Sequence, residues 1–491
     1  MEIWDNYIDG GYVPPRSGAY LDCDNPFTGE VWGRVPRSAD EDVAMAVAAA
    51  SRAFREGPWS VMTAPARAAL MRQLGDLIAA HVDELAAIEV RDNGKTYREM
   101  KAQVGRIPEW YYFYAGLADK IAGEVLPTDR PDHLSYTRRE PLGVIGMITP
   151  WNSPLNLLAW KLAPALATGN TAVIKPSEFT SASALRFAAL VGEAGFPAGV
   201  VNVVTGLGGE AGKALVDHPE VVKLAFTGGV DGGLAVYASA AKQLKPVILE
   251  LGGKSPNIVF EDANLDNAAQ GAVAAIFASG GQSCIAGSRL LVQRSIYDSF
   301  VPHVVELTGR IRLGDPMDPA THIGPVANKP QFDRILQRIA LGRSEGTHIA
   351  CGGVPATRPG LDKGLFVEPT IFTDVDNNMR IAQEEVFGPV LCIIPFEDEA
   401  DALRIANDVR FGLGSALWTQ DVDRVHRVAA KLQAGTVWVN TYRASSNITP
   451  FGGYKMSGLG REGGADMIHE YLQTKSVLLN LSGKYTSPFD L

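Results

Sequence analysis

The feature that most constrains this chain is an alternation that begins at Gly143. Apolar, strand-like runs at 143–149, 171–175, 201–205, 222–226 and 246–251 are separated by segments with helical spacing. Parallel strands need crossovers long enough to hold a helix, and strands buried on both faces read as unbroken apolar runs. The pattern therefore predicts a doubly wound α/β sheet with helices on both sides. Ligands of such sheets bind beyond the carboxyl ends of the strands. The residues at and just past those ends are Thr149-Pro150-Trp151-Asn152, Lys175-Pro176-Ser177-Glu178, Thr205-Gly206-Leu207-Gly208-Gly209, Phe226-Thr227-Gly228-Gly229 and Glu250-Leu251-Gly252. Polar residues and glycines collect there, which points to a nucleotide crevice.

A second alternating block runs from about 257 to 440, with strands expected near 257–260, 289–293, 390–395, 413–418 and 436–439. At 491 residues the chain exceeds what one hydrophobic core fills, so two or more domains are expected. Upstream, 40–56 and 64–91 read as helices, the second carried by Leu70, Leu74, Leu77, Ile78, Val82, Leu85 and Ile88 and stopped at Asn93-Gly94. The aromatic run Trp110 to Tyr114 reads as packing, and the Gly/Pro-rich stretch 352–364 as a surface loop.

Charge excludes several partners. Forty-five basic residues against 55 acids leave a net charge of −10, which attracts neither nucleic acid nor an anionic membrane. The start of the chain lacks a basic segment followed by an apolar run, so no signal peptide is evident. The most apolar region, 143–174, is interrupted by Asn152, Pro154, Asn156, Lys161 and Pro164 and reads as core rather than a membrane span. The cysteines Cys23, Cys284, Cys351 and Cys392 are too few and scattered for a disulfide framework or a zinc site, so no metal and a reducing cytoplasm are expected.

One cysteine stands apart. Gly280-Gly281-Gln282-Ser283-Cys284-Ile285-Ala286-Gly287 sets a thiol in a glycine-rich loop that other backbone or a substrate can approach closely. By itself this loop leaves a buried, inert thiol and a nucleophile equally open. Val247-Ile248-Leu249-Glu250 adds a carboxylate at the end of an apolar strand, a costly place for an acid without a purpose. Gly206-Leu207-Gly208-Gly209-Glu210-Ala211 fits a dinucleotide fingerprint formally, but the strand 222–226 lacks the acid expected about 20 residues on.

Glu250-Leu-Gly-Gly-Lys followed by Gly-Gln-Ser-Cys284 resembles the paired signatures of the NAD(P)-dependent aldehyde dehydrogenase superfamily. The resemblance extends from Asn6-Tyr7-Ile8-Asp9-Gly10 to Pro450-Phe451-Gly452-Gly453-Tyr454-Lys455. It implies an NAD-binding domain of 1–120 and 142–250 with 445–470, a catalytic domain of 251–444, and a small β oligomerisation arm of 121–141 and 471–491. It implies Cys284 as nucleophile, Glu250 as base, Asn152 as oxyanion donor, and Lys161 and Glu462 in proton relay; from the residues alone, a structural role for the last two is equally open.

For the cofactor it implies Ile148, Thr149, Trp151, Lys175, Ser177, Glu178, Gly208, Gly212, Phe226, Thr227, Gly228, Gly229, Leu251, Gly252, Glu385 and Phe387. Glu178 would repel a 2′-phosphate, so NAD is expected rather than NADP; a surface ion pair is the other reading of Lys175 and Glu178. The family usually has serine where this chain has Gly229, which removes one hydroxyl contact to phosphate. The partners implied are a small aldehyde and further copies of the chain, as a homodimer or homotetramer. A CoA-acylating semialdehyde dehydrogenase typically lacks the Glu250 base. A non-enzymatic cofactor-binding descendant would have lost Cys284, Glu250 or Asn152.

Overall fold

The computed structural model describes residues 1–485 and 487–489; residues 486, 490 and 491, at the end of the expected arm segment 471–491, lie outside the described residues. The first sheet has eight strands. Its five central ones run Val247–Glu250, Val221–Thr227, Val144–Ile148, Thr171–Lys175, Val201–Val203 in spatial order, all parallel. The chain therefore builds outward from Val144–Ile148 on one side, then returns to its other side. That reversal falls between Ile148 and Phe226, where the crevice of a doubly wound sheet opens. One face is covered by the helices Ala64–Ala80, Pro154–Ala167 and Ala182–Glu193, the other by Asp40–Arg55 and Val230–Ala241.

Three further strands complete this sheet at antiparallel edges: Asn6–Ile8 and Gly11–Val13 on one side, Gly458–Leu459 on the other. They are too short for a period to show. The single helix expected over 64–91 is two, Ala64–Ala80 and Val82–Asn93. The break falls at His81, whose Nδ1 lies 2.8 Å from the Leu77 carbonyl oxygen.

The second sheet has seven strands, in the order His348–Cys351, Thr370–Thr373, Val390–Phe396, Arg289–Gln293, Pro256–Val259, Gly414–Trp418, Thr436–Val439. All are parallel except the antiparallel edge strand His348–Cys351. That edge and its neighbour Thr370–Thr373 flank the 352–364 loop and have no helix between them, so the βα alternation does not mark them. A third sheet pairs His133–Pro141 with Leu472–Asn480 along their whole length and adds Val125–Leu126. It leaves Val125, Leu134, Leu478 and Leu479 exposed.

The two large sheets meet where Val247–Glu250 leads through Leu251–Ser255 directly into Pro256–Val259. Arg289, fully buried, holds this crossing in place. Its Nε donates to the Lys254 carbonyl (3.0 Å), while Nη1 and Nη2 reach the Ile405 and Ala406 carbonyls and Asn377 Oδ1, each at 2.8 Å. The acceptors at 405 and 406 belong to the last turn of the helix Glu399–Asn407, where the helix dipole favours a cation. Burial pushes the guanidinium down only to about 10, so it stays charged at neutral pH. Arg289→Met keeps the stem but orphans these acceptors, at about 1–3 kcal/mol for each one left unpaired. The urea midpoint followed by circular dichroism should fall clearly; an unchanged midpoint would show that the crossing does not depend on Arg289.

Candidate active site

Two glycines let the crossing pass. A Cβ on Gly253 would lie 2.5 Å from the Cys284 carbonyl oxygen, and one on Gly252 would lie 2.1 Å from Glu385 Oε2. The Gly253 N–H donates to Glu385 Oε1 at 2.8 Å. Cys284, Glu385 and Glu250 are thus gathered around one stretch of bare backbone. Glu250 is 3 % exposed, and among the described residues neither carboxylate oxygen has a hydrogen-bond partner. Burial, then the nearby Glu462 charge, raises its pKa well above the carboxylate range against the opposing pull of Lys161 and Arg461.

The cysteine loop is shaped by a tight turn. Ser279 (φ 59°), Gly280 (φ 59°) and Gly281 (φ 71°) all lie in the left-handed region. A Cβ on Gly281 would sit 2.0 Å from the Gly388 carbonyl oxygen, so only glycine passes there. Asn152 Nδ2 donates to the Gln282 carbonyl at 3.1 Å, and Gln282 Oε1 accepts the Ala327 N–H at 2.9 Å. Asn152 does not cap the helix Pro154–Ala167; the Leu155 N–H is taken by Glu89 Oε1 at 2.9 Å. Cys284 keeps a partial surface toward a cavity. Burial pushes its thiol up to about 12, with Glu250 and Glu385 adding to the rise and Arg443 opposing it.

Lys161 and Glu462 form a fully buried ion pair at 2.5 Å, and Lys161 also donates to Thr227 Oγ1 at 2.6 Å. The pair joins the strand end at Thr227 to the electrostatic surroundings of Glu250. Burial raises the Glu462 carboxyl against the lowering pull of Lys161.

At the crevice, Lys175 Nζ and Glu178 Oε2 are 3.3 Å apart, with Lys175 buried and Glu178 half-buried. Gly208 and Gly212 bound a short π-helical turn, and Gly208 has open space beside it. Gly229, also facing open space, is the N-cap of the helix Val230–Ala241. Thr149 Oγ1 is buried and unpartnered next to Ile148, while Ser177 Oγ accepts the Phe179 N–H. The Gly228 N–H donates to the Glu250 carbonyl, Phe226 packs under Gly228, and Leu251 packs under Gly233. Trp151 meets Phe387 edge to face, with centroids 5.2 Å apart. The crevice thus gathers the strand-end residues from the first sheet and Glu385 and Phe387 from the second.

A cavity of about 350 Å³ opens over Cys284. Its walls near the thiol are Asn152, Trp160, Ile285 and Phe451. Trp110, expected to be packing alone, also lines it and stacks on Trp160 at 4.9 Å. Sequence reasoning missed Lys95, which is buried and donates to Ser153 Oγ at 3.2 Å. It also missed Glu99, which accepts the Ser279 hydroxyl at the strained turn. The only sequence mark of Lys95 is its place just after the Asn93-Gly94 helix stop, and nothing periodic distinguishes Glu99. Among the described residues, no group of three or more His, Cys, Asp or Glu could hold a metal ion, and no helix is long and apolar enough to cross a membrane.

A cysteine in a glycine loop and a buried acid are brought together where two mostly parallel α/β sheets join. The sequence matches the aldehyde dehydrogenase family over residues 12–477, and the chain belongs to that family. It is 46% identical to an aldehyde dehydrogenase of Emericella nidulans, over 96% of this chain and 94% of that one. An aldehyde dehydrogenase from Bacillus cereus, solved as its NAD+ complex, superposes with a TM-score of 0.95 at 44% identity, covering 98% of this chain and 97% of that one. The betaine aldehyde dehydrogenase from Staphylococcus aureus, in complex with NAD+, superposes at 0.98 with 41% identity, covering 99% and 97%.

A thiol held near 12 reacts slowly at neutral pH, because only the thiolate is nucleophilic. Alkylation of Cys284 by iodoacetamide in the cofactor-free protein should climb steadily between about pH 7 and 10 without a plateau. Glu385→Gln, which removes a charge that raises the thiol's pKa, should move the curve to lower pH. A plateau near pH 8 in the parent protein would contradict this electrostatic picture.

Proposed function

We propose that this chain oxidises an aldehyde to the carboxylic acid with NAD+, through a thioester on Cys284 that water rather than CoA releases. The observation that carries the reading is Glu250: a buried carboxyl with no hydrogen-bond partner, close enough to Cys284 for its charge to raise the thiol's pKa. An acid held so expensively beside a thiol suits a base that acts only within the reaction cycle.

The residues at the crevice fit a dinucleotide. The unpartnered Thr149 hydroxyl and the open space beside Gly208 and Gly229 leave room and donors for one. Lys175 and Glu178 would hold the adenosine ribose, the helix start at Gly229 the pyrophosphate, and Glu385 with Phe387 the nicotinamide end. The Glu178 carboxylate disfavours a 2′-phosphate, which favours NAD over NADP. When bound, NAD+ supplies the acceptor for the aldehyde hydrogen as hydride.

The chain's own residues do the rest. The Cys284 thiolate forms a carbon–sulfur bond to the carbonyl, and the Asn152 amide with the Cys284 N–H stabilises the resulting oxyanion. After hydride loss the adduct is a thioester. Glu250 takes a proton from water as it attacks, and the thiolate leaves with the acid released. The buried Lys161–Glu462 pair, whose charges act on Glu250, would then take that proton onward. In this reading 1–120 and 142–250 with 445–470 hold the cofactor, 251–444 carries the chemistry, and 121–141 with 471–491 serves assembly.

Cys284→Ala should abolish turnover while leaving NAD+ binding nearly intact. Glu250→Gln should form about one NADH per active site in a rapid burst and then stall. Stopped-flow absorbance decides between outcomes: loss of the burst together with turnover would mean that Glu250 acts before thioester release. An unchanged rate with and without CoA separates this reading from a CoA-acylating one.

The third sheet supports self-association, because a thin ribbon with exposed leucines on the strand Leu472–Asn480 is marginal without another surface to cover it. Light scattering at micromolar concentration should give a dimer or tetramer, and removal of 472–491 should cost solubility and activity. A fully active monomer would refute the assembly.

A further inference from the structure

The outer part of the cavity over Cys284 carries charge that the chemistry just described does not use. Arg106 and Arg443 both line it, and among the described residues neither has a carboxylate within ion-pair distance, since every ion pair of the protein involves other groups. Arg443 is held by neutral oxygens: Nη2 donates to Ser279 Oγ (3.1 Å) and Nη1 to the Ala278 carbonyl (3.4 Å). Its backbone is left-handed, φ 63°, a conformation that costs energy for arginine and persists only where the surroundings impose it. The adjoining Tyr442 hydroxyl donates to the Ile285 carbonyl at 3.0 Å, so the loop that presents Arg443 is fastened beside the nucleophile. Glu109 is the one acid on the cavity wall, and it is exposed. The cavity wall thus carries two guanidiniums against one exposed carboxylate, with Glu99 reaching Arg443 only through the shared Ser279 hydroxyl.

We propose that Arg106 and Arg443 select an aldehyde that carries a second, anionic group, a carboxylate distal to the carbonyl, held at the mouth while the carbonyl reaches Cys284. The inference rests on the aldehyde-oxidising reading above. A planar guanidinium is suited to carboxylate, and a fixed one loses little entropy on binding it. Asn156 adds an amide at the same rim, while the Gln103 and Asn447 amides donate to Glu99 Oε1 (3.0 Å) and the Glu109 carbonyl (2.9 Å). The aromatic walls Trp110, Trp160 and Phe451 enclose the stem between the two ends. Aromatic faces also attract cations, but a cationic substrate would have to pass two unpaired guanidiniums.

The test compares three aldehydes of equal backbone length with NAD+ and the full-length protein: succinic semialdehyde, butanal and 4-trimethylammoniobutanal. Succinic semialdehyde should exceed butanal in kcat/KM by roughly tenfold or more, as for a hydrogen bond to a charged group. The cationic aldehyde should be the poorest, and added salt should narrow the anionic advantage. Arg443→Met and Arg106→Met should each reduce the ratio of anionic to neutral substrate, mainly through KM. If Arg443→Met fails to fold, the exposed Arg106 variant and the parent ratio still decide. A ratio at or below one, a ratio untouched by the Arg106 substitution, or preference for the cationic aldehyde overturns charge selection while butanal turnover keeps the reaction itself. No oxidation of any of the three overturns the reaction and this inference together.

Discussion

The site depends on how closely Leu251–Ser255 passes the loop that carries Cys284. Gly252 and Gly253 leave no room for a side chain against Glu385 and the Cys284 carbonyl. That contact joins a strand end of one sheet to the loops of the other, and Arg289 anchors it from behind through the Lys254 carbonyl. A crossing so short cannot stretch. The two sheets must therefore meet with Glu250, Cys284 and Glu385 facing one another.

Such packing sets the chemistry of the resting site. Three acidic groups share a region poor in water, and each is pushed toward its protonated form: Cys284 to about 12, Glu385 to about 7, Glu250 well above its ordinary value. Lys161, a buried cation whose charge acts on Glu250, is already committed to Glu462. Burial thus works against negative charge at this site, and the left-handed turn at Ser279–Gly281 adds strain next to the nucleophile. Both features cost stability, and the large apolar cores on either side of each sheet offset them.

Sequence pattern found the parallel strands because each is a continuous apolar run ended by polar residues, as at Thr171–Lys175 and Val390–Phe396. It did not find Asn6–Ile8, Gly458–Leu459 or Thr370–Thr373, whose pairing comes from distant partners rather than from local period. Cys284 and Glu250 drew attention as a thiol in a glycine loop and an acid ending an apolar strand, while their roles and that of Asn152 came from the family resemblance. Lys95 and Glu99 did not, since an ordinary helix-flanking lysine and an exposed-looking glutamate carry no local mark.

By itself the sequence determined the alternation, and with it the doubly wound sheet and the row of polar residues at the strand ends. These are consequences of burial on both faces and of the crossover length that parallel strands require. Only the tertiary structure decided which of those residues meet. That among the described residues Glu250 lacks a hydrogen-bond partner and Arg106 and Arg443 lack a carboxylate partner over the same cavity as Cys284, while Lys161 is spent on Glu462, are facts of distance between segments far apart in the chain. No periodicity encodes such distances, because they arise from how two separately packed sheets are pinned together at one short crossing.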